Sequence, residues 1–301
     1  MSFHSIPSFA LPQIIQREPA AIKLLQEALS NHGFFTITDH GISDDLLSAS
    51  YDLSKQFFEL PASIKLPYAF PENAGARGYT PFGKETAVGE TTPDLKEFWH
   101  HGPAIDSSYD ARILPNINVE QISQFNAHFN SLFSALNDLG MIVLSAIAVI
   151  LDKDSHFFDS WALKGNSVLR LIHYPPVTDP SNKLRARAHE DINLITLLVG
   201  AEKSGLEVQN PQGEWIPISA KSKSIVCNIG DMMQLVTRSQ LKSTTHRVID
   251  HNAESSTSRY SMPFFLHPSP EIDLGSIVDD STESISAHDF LEERLKAIKL
   301  Y

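Results

Sequence analysis

Two histidines and an aspartate, His189, Asp191 and His246, are the residues in this chain whose types and spacing point most directly to chemistry. His189-Glu190-Asp191 opens an apolar, strand-like run at 189–199, and alternation along a strand sends residues 189 and 191 to one face and Glu190 to the other. One imidazole and one carboxylate can then reach a common ion. The stretch Thr244-Thr245-His246-Arg247-Val248 supplies a second imidazole. Two histidines with one carboxylate form the facial triad of non-haem Fe(II) oxygenases, which leaves positions open for other ligands. Zinc hydrolases share such ligands, so the triad leaves the metal undecided. Thirteen positions after His246 comes Arg259-Tyr260-Ser261. Arg259 and Ser261 share a strand face, and a guanidinium fork beside a hydroxyl is what one carboxylate of a dicarboxylate co-substrate requires.

These side chains need a rigid frame, and the sequence after residue 167 supplies one in short strands at close intervals. The expected strands are 168–174, 189–199, 206–209, 215–218, 224–229, 232–236, 246–249 and 260–266, with Pro211-Gln212-Gly213 as a hairpin turn. Eight such strands suit a jelly roll, the double-stranded β-helix, whose open mouth can take a ligand. The predicted class is mainly β with α, a jelly-roll core flanked by N-terminal, central and C-terminal helices. Residues 1–301 read as one domain: an N-terminal helical and lid region over 1–118, a helical support over 119–166, the jelly roll over 167–270 and a C-terminal segment and helix over 271–301.

The N-terminal region predicts a helix over 18–31, with Ile22, Leu25, Ala28 and Leu29 on one stripe. A strand at 33–38 follows, then a helix capped by Ser43 and halted by Pro61. Residues 67–118 carry many Gly and Pro and read as long loops with short strands, the usual makings of a lid. Phe125, Phe129, Leu132, Leu136 and Leu139 fall at helical core spacing. His100 and His101 point oppositely in an extended chain and cannot both serve one ion.

The net charge of −12 argues against a nucleic-acid partner, which demands a clustered basic surface. The only short basic cluster is Lys183, Arg185 and Arg187, of which Lys183 reads as part of a solvated loop leading into a strand. No stretch reaches the roughly 20 apolar residues of a membrane span, and the run at 141–151 reads as a buried helix. The opening MSFHSIPSFALPQ has no secretory pattern. Cys227 is the single cysteine, which excludes an internal disulfide and agrees with a reducing, cytoplasmic setting.

Ten segments together resemble the isopenicillin N synthase-like group of 2-oxoglutarate and Fe(II)-dependent dioxygenases. They are GFFTITDHGI (33–42), FFELP (57–61), RGYTPFG (77–83), DLKEFWH (94–100), LRLIHYPP (169–176), AHEDINLITLL (188–198), GLEVQNPQGEWIPI (205–218), NIGDMMQ (228–234), STTHRVI (243–249) and RYSMPFFLHP (259–268). They occur in family order across nearly the whole chain. The resemblance implies iron held by His189, Asp191 and His246, and 2-oxoglutarate held at its 5-carboxylate by Arg259 and Ser261 with help from Tyr174. Tyr174 is the second tyrosine of the family's Asn-Tyr-Tyr-Pro-like motif, whose first two positions are here Ile172 and His173. The implied reaction consumes O2 and 2-oxoglutarate, releases succinate and CO2, and hydroxylates, desaturates or cyclises a small molecule.

For that substrate the sequence offers Arg170, on the Tyr174 face of its strand, and Arg187, on the His189 face, either of which could meet an anion. Arg77, Tyr79, Phe98 and Trp99 lie in the lid region as further candidates. Two other readings stay open: an Fe(II) oxidase of the same family that does not use 2-oxoglutarate, and a non-catalytic jelly-roll binding protein. Substrate identity and oligomeric state are not legible.

Overall fold

Helical periodicity in the first half and short alternating runs in the second build two different layers, and the computed structural model shows how they meet. It describes residues 6–73, 75–85, 94–176, 184–199, 205–218, 223–249 and 257–297. The first half contains β1 (Ser8–Ala10), α1 (Leu11–Ile15), α2 (Pro19–Asn31), β2 (Phe34–Thr38), α3 (Asp44–Glu59), α4 (Ala62–Lys65), β3 (Gly78–Thr80), β4 (Glu97–His101) and α5 (Phe125–Ile150). The second contains α6 (Asp159–Ala162), β5 (Val168–Tyr174), β6 (Leu184–His189), β7 (Ile195–Val199), β8 (Leu206–Gln209), β9 (Trp215–Pro217), β10 (Ile225–Ile229), α7 (Asp231–Val236), β11 (His246–Ile249), β12 (Arg259–Leu266) and α8 (Ala287–Ala297).

Local signals explain the helix ends. Ser43 accepts the Leu46 N–H at 3.1 Å and so caps α3, with Asp44 and Asp45 in its first turn. Helix α2 stops at Gly33, whose φ is +67° and whose absent Cβ would lie 1.9 Å from the Lys242 carbonyl oxygen. Only glycine fits there.

Strands β5 to β12 pair as a jelly roll. One sheet has the order β1-β2-β10-β7-β12-β5-β4-β3, so the N-terminal strands extend the β10-β7-β12-β5 core at both edges, and the other has the order β6-β11-β8-β9. The large sheet's outer face, which includes Trp99, Leu171, Leu197, Cys227 and Phe264, packs with α3 and α5 in the main apolar core. Its inner face meets the smaller sheet through Phe34, Leu206, Val208 and Val226, and through Phe98, Ile172, Tyr174 and Ala186. The functional side chains sit in this second, thinner interior.

Two expectations change. Helix α5 has 26 residues and is long and apolar enough to cross a membrane, contrary to the sequence reading. Within the fold it is a core helix, with Phe129, Leu132, Leu136, Leu144, Ile147 and Ala148 all fully buried. Residues 232–236 are the helix α7 and not a strand, because Met232, Met233 and Val236 are buried at helical spacing. Of the basic cluster, Arg185 and Arg187 lie in strand β6, and Lys183, expected in a solvated loop, falls outside the described residues. Arginine and alanine in alternation hide such a strand from propensity.

Candidate active site

His189 closes β6 and does not open a strand, and the chain then turns through residues 190–194 into β7. The pairing of β6 with β11 slips here: His246 lies opposite His189, but Val248 lies opposite Ala186. A step of two residues on β11 thus matches a step of three on β6. Such a bulge breaks strict alternation and lets Ala186 and His189 both serve the interior. Simple alternation therefore does not decide where Arg187 points.

The turn is pinned by the N-terminus of α7, where the Asp231 N–H donates to the Asp191 carbonyl at 2.7 Å and the Gly230 N–H to that of Leu194 at 3.0 Å. As a result the side chains of His189, Asp191 and His246 present ligand atoms that all lie within 4.8 Å of one another. Asp191 Oδ1 is 3.8 Å from His246 Nε2 and 4.0 Å from His189 Nε2. Asp191 Oδ2 is engaged on its other side, accepting from Thr196 Oγ1 at 2.6 Å and Asn228 Nδ2 at 2.8 Å. Each histidine places Nδ1 against a backbone carbonyl two residues earlier, Arg187 O at 2.7 Å and Thr244 O at 3.1 Å. An Nδ1–H bonded in this way leaves the Nε2 lone pair for a cation. Phe34 packs edge-on to the His246 ring at 5.4 Å between centroids.

Electrostatics agree with a cation site. Burial opposes ionisation of Asp191, but the charges of His246 and His189 and the bonds from Thr196 and Asn228 outweigh it and hold the carboxyl below its ordinary range. Burial, the neighbouring His246 and the Lys96 ammonium push His189 down to about 4, so it is a neutral ligand near neutrality. Two imidazoles and one carboxylate with fixed tautomers fit a ferrous ion.

Arg259, Ser261 and Tyr174, the residues read from the sequence as the carboxylate clamp, lie on paired strands. In the register of β12 with β5, Arg259 lies opposite Tyr174 and Ser261 opposite Ile172, so all four share the inner face. All are buried. Gly205 makes room for this end: a Cβ there would stand 2.1 Å from the Ile249 carbonyl oxygen and 3.2 Å from an Arg259 guanidinium nitrogen. Burial raises the Tyr174 phenol, keeping it a neutral donor. Ile172 puts an apolar side chain where the family motif has Asn.

Comparison with known proteins bears on what this geometry does. A profile described as the 2OG-Fe(II) oxygenase superfamily matches residues 165–268, and one described as the non-haem dioxygenase in morphine synthesis N-terminal region matches residues 6–121. The 2-oxoglutarate-dependent dioxygenase citB of Monascus ruber is 34% identical, over 82% of this chain and 79% of its own. The chain belongs to the 2OG-Fe(II) oxygenase superfamily. A 2-oxoglutarate-dependent dioxygenase of Didymella fabae is 30% identical over 89% of this oxygenase and 87% of its own length. Among solved structures, a 2OG-Fe(II) oxygenase family protein from Caulobacter crescentus superposes with a TM-score of 0.89 at 38% identity, covering 98% of this chain and 100% of that one. A full-length Neurospora crassa protein crystallised in complex with alpha-KG superposes with a TM-score of 0.85 at 27% identity, covering 97% and 96%. This oxygenase is thus a 2-oxoglutarate and Fe(II)-dependent dioxygenase with a jelly-roll core.

The substrate candidates divide. Phe98 and Arg170 face inward, because β4 places Phe98 opposite Ile172 and His100 opposite Arg170. Arg187 Nε lies 3.6 Å from Asp94 Oδ1 in the lid. Arg77, Tyr79 and Trp99 do not line the oxygenase's interior. Arg77 is 2% exposed and donates to the Leu114 and Ala76 carbonyls and to Asn166 Oδ1, which ties the start of β3 to the segment just before β5. Tyr79 bonds to Glu97, which also takes Lys65 Nζ at 2.7 Å and His173 Nδ1 at 2.7 Å. Trp99 alternates to the helical face and is fully buried among Phe57, Tyr68 and Phe125. An aromatic in a β-strand of the lid reads alike for either face until pairing assigns it.

Sequence reasoning missed Thr196, Asn228, Lys96, Glu85 and Asp94. Asn228 within IVCNI and Thr196 within ITLLV are polar residues inside apolar strands, a signal that a buried partner awaits them. Asn228→Ala removes one of the two bonds that aim Asp191, and iron affinity or turnover should fall about 10- to 100-fold. Iron titration and turnover of the variant measure this.

Two other histidines make the metal-free oxygenase acid-sensitive. His101, facing the helices, and His267 are both buried, each with an unpartnered Nδ1 among the described residues, and burial lowers both to about 4. The unfolded chain takes up protons below about 6.5 while the folded chain resists until about 4, so stability falls as pH drops through that window. Between pH 7.5 and pH 5 each should cost about 2 kcal/mol. Urea unfolding at the two pH values, in wild type and in His267→Gln, checks the sign and the size.

Proposed function

We propose that His189, Asp191 and His246 hold the ferrous ion and that Arg259, Ser261 and Tyr174 receive the 5-carboxylate of 2-oxoglutarate, for oxidation of a small molecule admitted between lid and barrel. The observation that carries this is the convergence of three ligand atoms within 4.8 Å, with the other heteroatom of each ligand already bonded to protein. Bound iron, with 2-oxoglutarate and O2, supplies the oxidation, and the co-substrate leaves as succinate and CO2. The chain's own residues do the positioning. Asp191 balances the cation, the two imidazoles turn Nε2 towards it, and Arg259 sets the depth of the co-substrate along the inner face. Apolar side chains of both sheets exclude water from that face.

Mixing the protein anaerobically with Fe(II) and 2-oxoglutarate should give a weak visible charge-transfer absorption from bidentate chelation. Iron binding without that band sinks the co-substrate assignment. Oxygen uptake with no succinate would favour the Fe(II) oxidase reading instead. The Neurospora crassa protein has also been crystallised with alpha-KG and thymine together, which supports a small-molecule substrate here. We also place the enzyme in the cytoplasm, with no nucleic-acid or membrane partner, on the single thiol Cys227 and the acidic balance.

A further inference from the structure

We infer that the substrate of this oxygenase carries a carboxylate, and that Arg170 receives it. This rests on the proposed iron and 2-oxoglutarate assignment and names the substrate class for the same site. Arg170 shares the inner face of β5 with Ile172 and Tyr174, but it lies at the metal end and not at the Arg259 end. Its guanidinium lies 5.2 Å from the ring of Phe265, which pairs with Thr196, and Thr196 bonds Asp191. Along β5 Arg170 stands four residues from Tyr174, the residue opposite Arg259.

The guanidinium is held as a fixed fork. Phe98 from the neighbouring strand lies 4.3 Å from it on one side and Phe265 flanks it from the other strand. Its Nε donates to His100 Nε2 at 2.6 Å. Burial pushes His100 well below the ordinary imidazole range, so its own proton sits on Nδ1, bonded to the Gly75 carbonyl. One further Arg170 donor reaches Glu85 at 3.3 Å. Of five N–H groups, three have no partner among the described residues, and a guanidinium with rings beside it can offer them only along its edge. Glu85 is shared between Arg170 at 3.3 Å and Lys96 at 3.4 Å, and Lys96 also pairs with Asp94 at 3.0 Å. One carboxylate fits that edge with two parallel bonds.

The test uses the anaerobic holoenzyme with Fe(II) and saturating 2-oxoglutarate, titrated by calorimetry with acid and amide pairs: acetate and acetamide, benzoate and benzamide, indole-3-acetate and indole-3-acetamide. At least one acid should bind tenfold or more tightly than its amide. Arg170→Gln should erase that preference and Arg170→Lys should keep part of it, both with the Fe(II)–2-oxoglutarate absorption intact. No acid preference in the wild type, or a preference that survives Arg170→Gln, overturns the inference, and the wild-type comparison stands even where a variant fails to fold. Loss of the absorption in Arg170→Gln also overturns it, since the residue would then serve the co-substrate. Absence of that absorption in the wild type speaks against the iron and 2-oxoglutarate assignment itself.

Discussion

Asp191→Ala should abolish turnover, with succinate formation falling roughly a thousandfold or more, equivalent to about 4 kcal/mol at 1.36 kcal/mol per decade. The carboxylate is the only anionic member of the triad, and its loss leaves two neutral imidazoles against a divalent cation. Iron content should fall with activity, because ligand affinity and folding of the site are coupled. The substitution also strips the acceptor from Thr196 and Asn228, two buried donors, at a cost of about 1 to 3 kcal/mol to the fold. Asp191→Asn spares the shape of the side chain and separates the two effects: it should stay folded and remain inactive. Iron analysis alongside succinate assays decides the matter. Turnover within tenfold of wild type, with full iron, would remove Asp191 from the site.

Arg259→Gln should leave iron binding intact and raise the KM for 2-oxoglutarate by about 30-fold to several thousandfold. Truncating one side of a buried, hydrogen-bonded charge pair costs about 2 to 5 kcal/mol, and Arg259 is only 6% exposed, with little water to replace the lost contact. Lysine should recover only part of the affinity, since a point charge cannot make the two parallel bonds of a guanidinium. Initial rates against 2-oxoglutarate concentration, with iron saturating, give the number. An unchanged KM in Arg259→Gln would mean that the guanidinium holds some other group.

The two predictions lean on residues that were legible before any fold was known. His189, Asp191, His246, Arg259 and Ser261 stand in motifs whose order along the chain follows a known family, and side-chain chemistry limits what such a set can bind. The residues around them were less legible. Met232, Met233 and Val236 suit a short strand or a short helix equally, and only packing against the turn at 191–194 makes them α7. Arg185 and Arg187 lie in a strand that charge and alanine conceal, since its partner is about 60 residues away in β11. Phe98 and Trp99 are neighbours in sequence with opposite fates, one facing the site and one buried under α5, and the register with β5 separates them.

The amino-acid order alone therefore determined the chemistry available to this oxygenase: the candidate metal ligands, the carboxylate clamp and the jelly-roll class, because these depend on residue type, on the order of motifs along the chain and on short strands at close intervals. The tertiary structure decided which side chains share a space. The bulge opposite His246, the bonds from Thr196 and Asn228 to Asp191, and the frame around Arg170 all join residues far apart in sequence. Contacts of that kind arise from strand register and close packing, which no local pattern encodes.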